Sequence, residues 1–300
     1  MTASPRSLTI FAPAKINLML HVLGLREDGY HSLESLVAFA DIGDSVTIRP
    51  HTEFSFKIEG PQASAFSAKE KDASPSSSNL AVKAAWLAAR EYQKNLHVAI
   101  TLTKELPLAS GLGGGTADAA AVLWGLLEYW GIPKTPDLGR KFMPELGADF
   151  PACFLCRPAW MGGAGESLDE TDLPEIPILL VNPLQSCPTR DVFLHRAGPY
   201  SAALTEQPAS LHQADLIRLL KNSRNDLTES AISIVPAIGN ILNALERKSG
   251  CLLSRLSGSG ASCFGLFDTA ESAARAAESI SSENPDWWVR AGVLNRPERY

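Results

Sequence analysis

Apolar and polar residues alternate with a period of two from the start of the chain. Leu8 to Ala12 reads as one strand, and Ile16, Leu18, Leu20 and Val22 carry another from Lys15 to Gly24. The same alternation at Val46 and Ile48, and at Phe54, Phe56 and Ile58, predicts strands over Ser45 to Arg49 and Phe54 to Ile58. From Ala63 to Ser78 the periodicity stops, and Pro75 with six serines predicts an exposed loop. Asn79 then stands as the cap of a helix from Leu80 to about Tyr92, and Leu96 to Thr103 reads as the next strand.

The segment Pro107-Leu108-Ala109-Ser110-Gly111-Leu112-Gly113-Gly114-Gly115-Thr116 follows that strand and precedes an alanine- and leucine-rich helix, Ala117 to Tyr129, closed by Gly131 and Pro133. A short helix is expected around Leu138 to Leu146, and glycines 162, 163 and 165 mark a change of direction. Beyond them the pattern predicts a strand at Ile178 to Asn182. Helices are expected near Asp191 to Leu194, Asp215 to Lys221, Asp226 to Ala231 and Pro236 to Lys248. A hairpin-like stretch from Leu252 to Phe267, a helix from Thr269 to Ser281 and a strand from Trp287 to Val293 complete an α+β pattern.

Composition narrows the reading. At 300 residues the chain is about twice the usual domain length, so two domains are expected, divided at the glycines into residues 1–165 and 166–300. With 27 basic against 33 acidic side chains the net charge is −6, which argues against nucleic acid as main partner and for a small-molecule substrate. Five cysteines are too few and odd in number for a secreted disulfide framework. Cys153 and Cys156 have redox-motif spacing, but they sit in the apolar run Phe150 to Leu155 and read as packing residues. The apolar stretch Leu8 to Leu20 is broken by Pro13, Lys15 and Asn17, unlike a targeting signal, and Ala119 to Ile132 is too short to span a bilayer. A cytoplasmic monomer or homodimer is expected.

Four glycines in five positions, Gly111 to Gly115, let consecutive backbone N–H groups approach an anion, and the following helix adds its positive end. The alternative is a tight strand-to-helix turn. No lysine follows the glycines as a Walker motif requires, and Thr116 stands where the dinucleotide fingerprint has its last glycine. Neither HRD nor DFG occurs, which excludes a protein kinase. Lys15 on its own reads as a strand-end lysine reaching water, Asp149 as a helix cap, and Tyr30 and Phe193 as packing residues.

The stretch Pro107 to Ala120, PLASGLGGGTADAA, resembles the nucleotide-phosphate loop of the GHMP small-molecule kinases. Pro13-Ala14-Lys15-Ile16-Asn17-Leu18 is similar to the family's first motif, and Leu256 to Phe264, LSGSGASCF, to its third. Gly24 to His31, GLREDGYH, and Leu146 to Pro151, LGADFP, resemble the members that phosphorylate the 2-hydroxyl of a cytidylated methylerythritol on the non-mevalonate route to isopentenyl diphosphate. The likeness runs from about Phe11 to Val293 and departs at Ala117, where such members more often carry serine.

The resemblance implies a two-domain fold, an N-terminal ribosomal-protein-S5-domain-2-like unit and a C-terminal ferredoxin-like sandwich, with the active site in the cleft between them. It implies ATP as phosphoryl donor and Mg²⁺ as bridge. Lys15 and Asp149 are implied to meet beside the acceptor hydroxyl, with the carboxylate orienting it and taking its proton late. For ATP it implies the run from Pro107 through Leu108, Ala109, Ser110, Gly111, Leu112, Gly113, Gly114, Gly115 and Thr116 to Ala117, with Asn79, Leu80 and Lys104 toward adenine and ribose. Thr116 is the hydroxyl nearest the metal, and Asp118 is a second metal candidate or a favourable charge at the helix start. Tyr30, His31 and Phe193 are implied to hold cytosine, by stacking between Tyr30 and Phe193 with the edge read at His31, and Asn17 and Thr189 to hold sugar-alcohol or diphosphate oxygens. Two alternatives stay open: a kinase of the same fold acting on another small alcohol such as homoserine or mevalonate, and a nucleotide-binding regulator without turnover.

Overall fold

The computed structural model describes residues 7–295. In chain order its elements are β1 (Leu8–Leu25), β2 (His31–Pro50), β3 (Ser55–Glu59), α1 (Ala68–Lys71), α2 (Leu80–Glu91), β4 (Val98–Thr103), α3 (Gly114–Trp130), α4 (Asp137–Leu146) and α5 (Phe150–Leu155). They continue with β5 (Ala159–Gly163), β6 (Ser167–Glu170), β7 (Ile176–Asn182), α6 (Thr189–Leu194), α7 (Gln213–Lys221), α8 (Thr228–Ile234), α9 (Ala237–Glu246), β8 (Cys251–Leu256), β9 (Cys263–Phe267), α10 (Ala270–Glu283) and β10 (Trp288–Leu294). Among the described residues no helix is long and apolar enough to cross a membrane.

β1 and β2 form one long antiparallel ribbon around which the rest is arranged. The two strands expected at the chain start are a single strand, bent rather than broken at Pro13, where the register shifts between Pro13 and Lys15. β2 begins 14 residues before the strand expected at Ser45. Its segment Glu34 to Ala40 is buried throughout and therefore shows no alternation to read. The C-terminal half of β2 pairs with β4, its N-terminal half with β5, and a single bridge from Ala40 to Leu294 joins β10.

Helices α2 to α5 cover the outer face of this first part. α3 is buried on nearly every side, packed between the strands and α2, as its alanine-rich, low-polarity sequence requires. Asn79 caps α2 as expected, its Oδ1 accepting the Ala81 N–H at 2.9 Å. The serine-rich segment is less open than expected: Ser67 and Glu70 form a reciprocal capping box on α1, and Trp86 Nε1–H donates to the Ala73 carbonyl. Glycines 162, 163 and 165 lie in and beyond the end of β5, where it turns into its antiparallel partner β6.

The second part orders its strands β10-β7-β9-β8, all antiparallel neighbours. Both faces of β7 are buried: Leu179 and Val181 pack toward α9 and α10, while Ile178 and Leu180 pack toward the β1–β2 ribbon and α7. That shared layer joins the two parts of the molecule. Arg255 on β8 adds polar ties across it. Its buried guanidinium donates to the carbonyls of Leu18, Leu220 and Ser223 at 2.6–2.9 Å.

Candidate active site

One cleft of about 1060 Å³ collects residues from both parts of the chain. Its floor is the glycine loop. Gly111 (φ +76°) and Gly113 (φ +64°) take left-handed backbone, and a side chain at Gly111 would strike the Ser257 carbonyl and come within 2.8 Å of the Gly260 carbonyl. The third motif therefore lies directly on the loop, and hydrogen bonds lock it there: Ser257 Oγ–H to the Gly111 carbonyl (3.0 Å) and Ser262 N–H to the Ser110 carbonyl (2.9 Å). The first motif joins from the other side through Lys15 N–H to the Leu112 carbonyl (2.8 Å) and Asn17 N–H to Ser257 Oγ (3.2 Å). α3 starts at Gly114, three residues earlier than its sequence suggested, so its first-turn N–H groups open onto the cleft.

Lys15 and Asp149, 134 residues apart, meet above this loop with Nζ 2.7 Å from Oδ1. Lys15 is almost fully buried, whereas the Asp149 side chain is 38% exposed and faces the cleft. Asp149 precedes α5, but its carboxylate makes no capping bond, so the helix-cap alternative does not hold.

Lys104, expected toward adenine and ribose, lines the cleft with its ammonium held by Asp44 Oδ2 (2.5 Å) and Asp118 Oδ2 (2.7 Å) beneath Gly114. Burial opposes that charge, but Asp118 and Asp44 together outweigh it and hold the ammonium above the ordinary lysine value. Burial pushes the Asp118 carboxyl well above the usual carboxylate range, opposed by Lys104 and reinforced by Asp44. Asp118 Oδ1 is buried without a hydrogen-bond partner. Asn79 and Leu80 line the same end of the cleft, as do Pro107, Leu108, Ala109, Ser110, Gly115 and Thr116. Leu112 and Ala117 are buried behind that wall and do not line the cleft, and the Ala117 N–H is donated to the Gly113 carbonyl at 2.8 Å.

Tyr30, His31, Thr189 and Phe193 also line the cleft. His31 stacks on Phe193 with ring centroids 4.9 Å apart and 23° between planes, while Tyr30 stands 65% exposed at the rim. Burial, and then Arg196, hold the His31 imidazole below its ordinary pKa, so it is neutral at pH 7 and offers one donor and one acceptor. Asn17 lines the cleft as well, its Nδ2–H donating to Ser35 Oγ at 2.8 Å. Thr189 Oγ1 is 2.8 Å from Ser259 Oγ. Arg190, Gly258 and Ser259 also line the cleft and were not singled out as contact residues from sequence. For the last two the signal existed, in the motif LSGSGASCF; for Arg190, an isolated basic residue, there was none.

Family models match both parts of the chain: the GHMP kinases N terminal domain over residues 79–157 and the GHMP kinases C terminal over residues 209–286. Fold and cleft together define a small-molecule kinase of the GHMP class. A 4-diphosphocytidyl-2-C-methyl-D-erythritol kinase of Paramagnetospirillum magneticum is 44% identical over 291 residues, spanning 96% of this chain and 99% of its own. The crystal structure of a 4-(cytidine 5'-diphospho)-2C-methyl-D-erythritol kinase superposes with a TM-score of 0.77 at 30% identity, covering 97% of this chain and all of that one. The chain belongs to the 4-diphosphocytidyl-2-C-methyl-D-erythritol kinase family. A homoserine kinase from Cytophaga hutchinsonii, 19% identical with a TM-score of 0.65 over 98% of this chain and 97% of its own, shares the fold.

Proposed function

We propose that the chain transfers the γ-phosphoryl group of ATP to the 2-hydroxyl of 4-diphosphocytidyl-2-C-methyl-D-erythritol, giving the 2-phosphate and ADP on the methylerythritol phosphate route to isopentenyl diphosphate. The observation that carries this reading is the Lys15–Asp149 pair, lining one cleft together with an anion cradle and an aromatic recess. In the reaction, amides of the glycine loop and of the first turn of α3 bind the β- and γ-phosphates without rearranging. Asp149 accepts a hydrogen bond from the acceptor hydroxyl, aligns it and takes its proton late. Lys15 holds that carboxylate in place and balances charge on the incoming oxygen. A loose transition state needs this positioning and neutralisation more than a strong base.

At the recess, cytosine lies against the exposed face of Tyr30 and the His31–Phe193 pair, with neutral His31 reading its polar edge. Asn17 and Thr189 hold sugar-alcohol or diphosphate oxygens, and Arg190, for which no ion pair is found among the described residues, meets the diphosphate. Asn79 and Leu80 receive adenine and ribose. Lys104 serves that end by supporting the loop from beneath.

The donor set fits Mg²⁺. Among the described residues no group of three or more His, Cys, Asp or Glu side chains forms a cation site of its own. Of the lining cations, Lys15 is already paired with Asp149 and Lys104 with Asp44 and Asp118, so the cleft leaves little positive charge over for a triphosphate. The Thr116 hydroxyl and the unpartnered Asp118 Oδ1 would hold the ion together with phosphate oxygens and water. When bound it neutralises charge on the transferring phosphoryl group.

We place the reaction in the reducing cytoplasm, a reading supported by five cysteines, too few and odd in number for a secreted disulfide framework. ADP release, measured with the cytidylated alcohol, with homoserine and with mevalonate, tests the proposal. Turnover is expected with the first alone, and equal rates with all three would overturn the substrate assignment.

A further inference from the structure

Two chain turns meet at the rim of the cleft. The turn between β1 and β2, residues 26–30, carries Tyr30 and leads into His31; the turn between β5 and β6, residues 164–166, leans on the segment before Asp149. Pairing of β5 with the start of β2, Leu33 opposite Gly163, brings the turns side by side.

One pair of charges joins them. Arg26 Nη1–H donates to Glu166 Oε1 at 2.7 Å. Each partner is also tied into its own turn. On the first, Asp28 accepts from Arg26 Nε (3.1 Å) through Oδ2 and from the Tyr30 N–H (3.0 Å) through Oδ1. On the second, Glu166 Oε2 accepts the Ala164 N–H at 2.6 Å. Gly165 presses on Ala148, the residue before Asp149: a side chain there would strike the Ala148 carbonyl oxygen and lie 3.0 Å from its carbon. A continuous path of hydrogen bonds and contact thus runs from Tyr30 through Asp28, Arg26 and Glu166 to Ala148 and Asp149. With side chains 36% and 43% exposed, the Arg26–Glu166 bridge contributes little to folding, so what it does is placement.

We infer that the Arg26–Glu166 bridge is a latch that sets the distance between the base-reading turn and the loop bearing Asp149, so both are positioning residues for the cytidylated acceptor. The substrate named here rests on the function proposed above. Lys15 anchors Asp149 independently, so loosening the latch acts on acceptor binding more than on the chemical step.

Two measurements on Glu166→Gln, Arg26→Met, Arg26→Lys and the Glu166→Gln/Arg26→Met double variant test the latch. The first is amide exchange without ligands. Faster exchange confined to residues 26–31 and 163–166 is expected, with the thermal midpoint of wild type retained; unchanged exchange, or exchange raised throughout the chain, overturns the latch. The second is steady-state kinetics. Acceptor KM is expected to rise about tenfold in each charge-removing variant, with ATP KM and kcat within threefold of wild type, no further rise in the double variant and partial recovery in Arg26→Lys. Acceptor KM unchanged, rising together with ATP KM, or rising additively in the double variant would overturn it. Should wild type itself turn over no cytidylated alcohol, the proposed function falls, and the exchange measurement still decides the latch.

Discussion

Replacing Asp149 by asparagine separates chemistry from architecture better than any other single change in the cleft. At 2.7 Å the Lys15–Asp149 attraction is about 6 kcal/mol at an effective dielectric near 20, and the 38% exposure of the Asp149 side chain lets water screen a good part of it. Alanine at this position would leave the buried Lys15 ammonium without a partner, at a cost of about 3–5 kcal/mol that confuses loss of catalysis with loss of fold. The asparagine carbonyl oxygen still accepts the Lys15 N–H, so the side chains keep their places. It cannot take the acceptor proton. The expected result is a kcat lower by about a hundred- to ten-thousandfold, or about 3–5 kcal/mol on the barrier, with the thermal midpoint and calorimetric ATP affinity close to wild type. The assay is coupled ADP release at saturating ATP and acceptor. A folded Asp149→Asn enzyme retaining kcat within tenfold of wild type would refute the role given to the carboxylate.

Three further outcomes are expected. Lys104→Met leaves the buried Asp44 and Asp118 carboxylates without their cation and should cost on the order of 3–5 kcal/mol, read as a lower urea midpoint. Gly113→Ala puts a Cβ on left-handed backbone 3.2 Å from Lys15 Cβ; ATP affinity by calorimetry should fall at least about tenfold, and an unchanged affinity would mean that the loop does not hold phosphate. Burial, opposed by Asp226 and Glu34, holds the His21 imidazole below its ordinary value of 6.5. Below that pH the unfolded chain binds a proton that the folded one refuses, so stability should drop as pH falls through the ordinary histidine value, and less so in His21→Gln.

The local pattern of the chain was enough for much of the fold. The cap at Asn79, the start of α10 next to Thr269, the α3 C-terminus at Gly131 and the hairpin of β8 and β9 all follow from neighbouring residues, because caps and turns are short-range chemistry. Where burial is two-sided the pattern fell silent, so the first half of β2 was not visible; β5 read only as its glycines, and the four-residue, mostly exposed β6 is too short to show a period. The serine-rich segment misled for a different reason: its order comes from a capping box and a tryptophan reaching back from α2.

For the cleft, the amino-acid sequence alone determined the glycine loop, its place between strand and helix, and, by resemblance, the names Lys15 and Asp149. Only tertiary structure brought those two charges, 134 residues apart, within 2.7 Å of each other. It also decided that Lys104 spends its charge on Asp44 and Asp118, that Phe193 stacks on His31, and that Arg26 reaches Glu166. The physical reason is range: backbone preference and periodicity act over a few residues, whereas the partner of a buried charge is set by whichever distant strand or helix packs against it.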